Sequence, residues 1–365
     1  MLNKKLNARN TISIGIIANL LGAHLIDSAQ TQPGLLRETR RFKGSMGFLQ
    51  GYAHWQHRAG ERLTLNLGVY GQTLTLNQTY SVEPRLNMRY NLTAGQALTF
   101  GLGRHSQIQP LGIYFNQPEG QSVQTNRNLG STYSNQAVSG YEIRFATRWR
   151  FNMEGYYQDI SQAPVDAAAS SFSMLNMGAD FGLTDRTNLV NKGSGRNYGL
   201  ELTLERTFDN GYYLLATTSL YRSLYKGSDG IERNTAFDGH YVANLLAGRE
   251  FSLSKRAVLA LDTRISAAGG KRDTPIDLEQ SAIRHKAVYR EDQAYSLQLK
   301  DYFRADFKIT LRLNGRKTMQ EWFVDLQNLS NNKNIFSRQY DAGSNVVRTI
   351  YQLGFYPNIN YRIQF

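Results

Sequence analysis

His54 and His57, three residues apart, come nearest to a metal-chelating pair in this sequence. Alternate residues of a strand face opposite ways, so on a strand these two imidazoles cannot close on one ion. The other histidines, His24, His105, His240 and His285, are scattered, and no HExxH or paired-carboxylate signature accompanies them. No metal site and no cofactor are expected. Nucleophilic catalysis needs a Ser or Asp beside a positioned base, and the run Ser170-Ser171-Phe172-Ser173 has no nearby His in sequence. The chain has no Cys, which removes thiolate chemistry and disulfides. Gly101-Leu102-Gly103 places Ser106 where a dinucleotide-binding loop needs its third glycine. Lys226-Gly227-Ser228-Asp229-Gly230 could offer Asp229 to a cation, but a turn explains the run more simply.

With no local catalytic constellation, the elements themselves carry the information. The final segment alternates. Phe365, Ile363, Tyr361, Ile359, Pro357 and Phe355 share one parity; Gln364, Arg362, Asn360 and Asn358 share the other. One face is apolar and the other polar. A strand closing on a terminal Phe matches the last strand of an outer-membrane barrel. Ile359, Tyr361, Ile363 and Phe365 are the expected signal for barrel assembly, read through strand pairing.

Composition agrees. Hydrophobic residues are 41% of 365 and the mean hydropathy is −0.47, too low for a bundle of membrane helices. The longest apolar stretch, from Ile12 to Ile26, is interrupted by Ser13, Asn19 and His24, short of a spanning helix. The 22 Tyr, 32 Gly and 7 Pro suit long strands with aromatic belts. Lys4, Lys5 and Arg9 ahead of Ile12 imitate a secretory signal, but Gly15, Asn19, Gly22, His24 and Asp27 make a poor apolar core for one. A turn near Lys4 to Asn10 followed by a strand is the preferred reading.

Period-2 alternation recurs along the whole chain. It is clearest in Leu63 to Tyr70, Tyr198 to Glu205 and Phe303 to Leu313. Strands are expected near 10–27, 43–57, 62–75, 83–92, 97–109, 136–145, 149–160, 194–208, 211–224, 238–252, 256–269, 300–313, 320–329 and 348–365, about fourteen with soft edges. Tight turns such as Asp209-Asn210-Gly211 and Asn314-Gly315-Arg316 alternate with long connections at 28–42, 110–135, 161–193, 225–237, 270–299 and 330–347. Short turns at one end and long loops at the other are the asymmetry of an outer-membrane barrel. The formal charge of +13 then belongs to a wet lumen and to anionic lipid, with no nucleic-acid partner expected. Arg37, Arg40, Arg41 and Lys43 fall in an expected outer loop and form a candidate contact for lipopolysaccharide phosphate or another anion. Arg304, Lys308, Arg312, Glu201 and Glu205 are expected to face inward.

Several stretches resemble one known family. They are Leu189 to Glu205, containing Gly193-Ser194-Gly195-Arg196-Asn197-Tyr198-Gly199; Lys226 to Gly230 with Arg233-Asn234-Thr235-Ala236-Phe237; Thr274-Pro275-Ile276-Asp277-Leu278-Glu279; Asp325-Leu326-Gln327-Asn328-Leu329; and Tyr351 to Pro357. In order and spacing they resemble the barrel of TonB-dependent outer-membrane receptors of the Bacteroidetes type. The resemblance implies an all-β, antiparallel transmembrane β-barrel with about 22 strands in the complete receptor, enclosing an N-terminal plug. It also implies import of a scarce, large ligand. Against that pattern, residues 1–365 are expected to be a single C-terminal barrel region without a plug, in an open or incomplete barrel, from a truncated product or gene fragment. Implied partners are outer-membrane lipid and lipopolysaccharide, the barrel-assembly machinery, a surface lipoprotein, and TonB only through an N-terminal part. The expected location is the cell outer membrane. A smaller stand-alone barrel acting as a passive channel and an outer-membrane barrel hydrolase stay open as alternatives.

Overall fold

The computed structural model describes residues 1–32, 35–178 and 182–365. In chain order its strands are β1 (Leu2–Lys5), β2 (Asn10–Gln32), β3 (Leu35–Ala59), β4 (Leu63–Leu74), β5 (Thr79–Thr93), β6 (Gln96–Gln107), β7 (Thr132–Phe145), β8 (Trp149–Asp166), β9 (Leu189–Asp209), β10 (Tyr212–Lys226), β11 (Glu232–Asn234), β12 (Tyr241–Ser254), β13 (Ala257–Ala268), β14 (Arg272–Asp273), β15 (Leu297–Gln298), β16 (Tyr302–Asn314), β17 (Met319–Gln327), β18 (Ile335–Asp341), β19 (Val346–Tyr351) and β20 (Tyr356–Gln364). One α-helix, α1 (Leu278–Arg284), and three short 3-10 segments complete the regular structure among the described residues. A single sheet of 16 strands follows chain order from β1 to β10, then β12, β13, β16, β17 and β20, with β11 added beside β10. The registered pairs are antiparallel. β14–β15 and β18–β19 form two small separate sheets.

All fourteen expected strands overlap observed ones, with edges shifted by up to a few residues and with corrections to extent and number. The 28–42 connection is paired strand: β2 and β3 stay in register from Asn10↔His57 to Gln32↔Leu35, with irregularities near Asp27 and Gln30. The expected 348–365 strand is two, because β19 turns back on β18 while β20 pairs with β17. The added strands are short pieces inside expected turns and loops. Leu2 to Lys5, read as part of a turn, pairs with Thr11 to Ile14.

Contact density divides the chain into two compact units. Met1–Gly140, Tyr156–Tyr198 and Ser223–Phe237 make the first; Tyr141–Gly155, Gly199–Arg222 and Asp238–Phe365 make the second. In the first, alternation puts Ile14, Ile16 and Leu20 of β2 on an exposed apolar face. The opposite face contributes Leu21, Leu25, Phe42, Met46, Phe48 and Leu74 to a core closed by the 3-10 segment Leu111–Phe115. Ile113, Tyr114 and Phe115 are fully buried there, and Phe42 stacks on Phe115 with centroids 3.9 Å apart. Full burial of such side chains stabilises by about 2–3 kcal/mol each. The closing segment Leu111–Phe115 belongs to the connection expected at 110–135.

The second unit keeps the simpler alternation. Phe307, Ile309 and Leu311 of β16 lie opposite Leu326, Val324 and Trp322 of β17, and those opposite Pro357, Ile359 and Tyr361 of β20. Trp322 and Tyr361 pack with centroids 4.4 Å apart. A continuous apolar row crosses three strands on one face, and the charged residues of the same strands take the other.

Candidate functional site

On the polar face of the second unit, Asp306 is the hub. It accepts Arg304 Nε at 2.7 Å, Arg264 Nε at 3.0 Å and the Asn328 backbone N–H at 2.8 Å. Arg312 bridges Glu321 at 3.1 Å and Glu250 at 3.3 Å, and Arg362 reaches Glu321 at 3.4 Å. Lys308, directly opposite Asp262 and Asp325 in the register, sits 4.3 Å from the Phe323 ring. Glu205 binds Arg150 at 2.6 Å. Four of the expected inward residues (Arg304, Lys308, Arg312 and Glu205) therefore lie in a lattice of opposite charges or against an aromatic ring. A concavity of about 280 Å³ among Tyr213, Glu250, Asp262, Lys308, Arg312 and Arg362 is lined mainly by charge.

In the first unit the expected basic cluster is dispersed. Arg37, Arg40, Arg41 and Lys43 lie on β3, not in a loop, and alternation sends Arg40 the opposite way from Arg41 and Lys43. Arg40 is 4% exposed. Its guanidinium donates to Gly112 O and Asn116 Oδ1, both at 2.9 Å, and pairs with Asp27 and with Asp185 at 3.2 Å. Arg41 pairs with Glu38, and Arg37 with Glu119 at 3.2 Å. Lys43 is exposed opposite His24. Sequence spacing could not reveal this, because every partner of Arg40 except Asp27 comes from a segment more than seventy residues away.

Other candidates have structural work to do. His57 Nδ1 lies 2.8 Å from Asn10 Oδ1, and no group of three or more potential metal ligands occurs among the described residues. The Ser170 hydroxyl donates to Asp166 at 2.7 Å, and Ser173 caps a 3-10 turn. Asp229 accepts Arg233 Nη2 at 2.8 Å and the Ile231 N–H at 3.1 Å, so a guanidinium stands where a cation was considered. The Arg233 hydrogen bond holds the Asp229 carboxyl below its ordinary pKa. Burial pushes the Tyr114 phenol up, against the Gln109 N–H that it accepts at 3.0 Å. A buried polar knot went unforeseen: Glu83, 1% exposed, accepts Ser106 Oγ at 2.6 Å, Ser81 Oγ at 3.0 Å and Arg85 Nη2 at 2.7 Å. Alternation places Ser81, Glu83 and Arg85 on one face, which was the available signal.

The terminal residues Ile359, Tyr361, Ile363 and Phe365 are all exposed; the first three share the apolar side of β20 and Phe365 follows two residues on.

No family model and no curated protein matches the chain. Solved structures do. The ferric yersiniabactin uptake receptor FyuA from Yersinia pestis aligns with all of this chain and 52% of its own, at 13% identity and a TM-score of 0.69. The outer membrane transporter YddB from Escherichia coli aligns over 100% of this chain and 53% of its own, at 11% identity and a TM-score of 0.65. The siderophore receptor PiuA from Acinetobacter baumannii covers 99% and 54%, at 11% identity and 0.65. The chain thus has the fold of part of an outer-membrane receptor barrel, and it spans about half the length of these proteins.

Proposed function

We propose that this chain is the C-terminal barrel part of a TonB-dependent outer-membrane receptor, of the Bacteroidetes type by its motifs, and that it works in transport. The observation that carries this reading is the 16-stranded antiparallel sheet with alternating apolar and ionic faces, matched end to end by uptake receptors. In this reading the long connections face outward and capture ligand. The ionic lattice around Asp306 and Arg312 faces inward, against a plug supplied by the rest of the receptor. TonB acts through that other part.

Outer-membrane lipid covers the apolar row on β16, β17 and β20. Arg41 and Lys43, on the exposed side of β3, are the members of the basic group placed to meet lipopolysaccharide phosphate. The barrel-assembly machinery reads Ile359, Tyr361, Ile363 and Phe365, and a surface lipoprotein is a further partner. By itself the chain does not transport.

The test is expression of the chain behind a secretion signal, with and without a plug-bearing N-terminal part from the same gene. Uptake of radiolabelled ferric siderophores by cells with and without TonB is then measured. Uptake that needs both the N-terminal part and TonB supports the reading; TonB-dependent uptake by the chain alone would sink it. Recovery of the chain in the soluble fraction would count equally against it.

A further inference from the structure

A cleft of about 880 Å³ opens on the first unit, lined by residues of β2 to β7. One residue explains its position. Pairing of β4 with β5 runs unbroken from Leu63↔Tyr90 to Leu74↔Thr79, but the β5–β6 register stops at Arg85↔Gly103. The next residue on β5 is Pro84, which has no N–H to give a neighbouring strand. Beyond it the strands are tied by side chains on the opposite face, where Ser106 Oγ donates to Glu83. Tyr133 of β7 reaches over the gap, its hydroxyl donating to the Tyr80 carbonyl at 3.1 Å.

The floor and walls are apolar: Leu67, Val69, Pro84, Leu86 and Leu102. At one end stand Arg104 and Asn135, both exposed. The Arg104 guanidinium lies 4.4 Å from the Tyr133 ring centroid and has no carboxylate partner among the described residues. On β6, Leu98, Phe100 and Leu102 precede Arg104 on the same exposed side, so the charge sits where the apolar band ends, towards the long connection after β6. A free guanidinium at the rim of an apolar band, beside an apolar slot, suits a phosphate headgroup with its acyl chain laid along the slot.

We infer that this cleft binds the phosphorylated, multiply acylated glycolipid of the outer leaflet. Arg104 and Asn135 take a headgroup phosphate, and an acyl chain lies over Pro84 and across the paired Leu86 and Leu102. The choice of glycolipid rests on the orientation proposed above, with long connections outward.

The test is native mass spectrometry of the full chain folded in detergent, with three probes: lipid A, its dephosphorylated form and phosphatidylglycerol. Lipid A is expected to remain bound. Dephosphorylation or Arg104→Ala should each lower occupancy about tenfold, Arg104→Lys should retain most of it, and Pro84→Val should lower it by narrowing the gap. Equal occupancy by lipid A and its dephosphorylated form overturns the site. Equal retention of phosphatidylglycerol overturns the glycolipid assignment and gives the cleft to a phospholipid. Should Arg104→Ala lose its heat-modifiable folded band, the comparison of phosphorylated and dephosphorylated probes on the unaltered chain decides. Uptake plays no part in this readout, so the cleft and the transport reading can fail separately.

Discussion

The Tyr52 ring lies across Gly15, the residue directly opposite it in the β2–β3 register. A Cβ on Gly15 would fall 2.5 Å from Tyr52 Cε1. The second unit repeats the arrangement, with the Tyr213 ring over Gly248, its register partner, in the way of any Cβ there. Each glycine is a socket for its neighbour's ring. Gly15→Val should displace the ring and destabilise the folded chain by about 1–3 kcal/mol, as overpacking does. Urea midpoints in micelles measure this, and Gly15→Val combined with Tyr52→Ala should recover most of the loss. No recovery in the double variant would mean the cost lies in the backbone.

Arg40 and Arg41 are adjacent in sequence and unlike in consequence. Arg40→Ala removes a guanidinium with five partners from a buried site and should cost about 2 kcal/mol, moderated because Asp27 and Asp185 keep contact with water. Arg41→Ala should leave the unfolding midpoint where it was. The two midpoints, compared side by side, separate a structural arginine from a surface one.

Asp306→Ala strands Arg264 and Arg304 and orphans the Asn328 N–H. A loss of about 2–3 kcal/mol is expected, with the largest drop in amide protection at the β16–β17 end. Arg264→Ala should cost less, because Arg304 and Asn328 still satisfy the carboxylate. The reverse ranking would remove Asp306 from the centre of the lattice.

The Asp229–Arg233 clamp predicts a direction with pH. Its carboxyl is held below the ordinary range chiefly by Arg233, whereas in the unfolded chain it titrates near about 3.9. The stabilisation is complete above that value and is lost as pH falls through the depressed folded pKa. Protection factors for residues 227–234 should stay level from neutral pH to about 5 and decline only below about 4. Asp229→Asn should lower them at neutral pH and flatten the dependence. A decline beginning near neutrality would point to another group.

In the reading proposed above, deleting Phe365 should reduce the level of the protein in outer-membrane fractions, because the row Ile359, Tyr361, Ile363 and Phe365 would lose its last member. Quantitative immunoblots of heat-modifiable protein read the effect. Undiminished levels would leave the row as ordinary lipid-facing surface.

What the sequence determined by itself is local. Alternation needs only residues i and i+2, so Phe303 to Leu313, Tyr198 to Glu205 and the terminal strand were legible with their faces. Turn chemistry is equally local, and Asn210, expected in a tight turn, has φ 52°. Tertiary structure decided what depends on partners far along the chain. Arg40 is buried because Gly112, Asn116 and Asp185 come to it. The 28–42 segment is strand because β2 and β3 continue to pair. Tyr114 and Phe115, unremarkable in a long loop, are buried against Phe42 and Met46. The stop at Pro84 gains meaning only when β6 lies beside it. Side-chain direction is written in the local pattern, whereas the identity of each neighbour is set by register and by loops folding back, which no short window of residues contains.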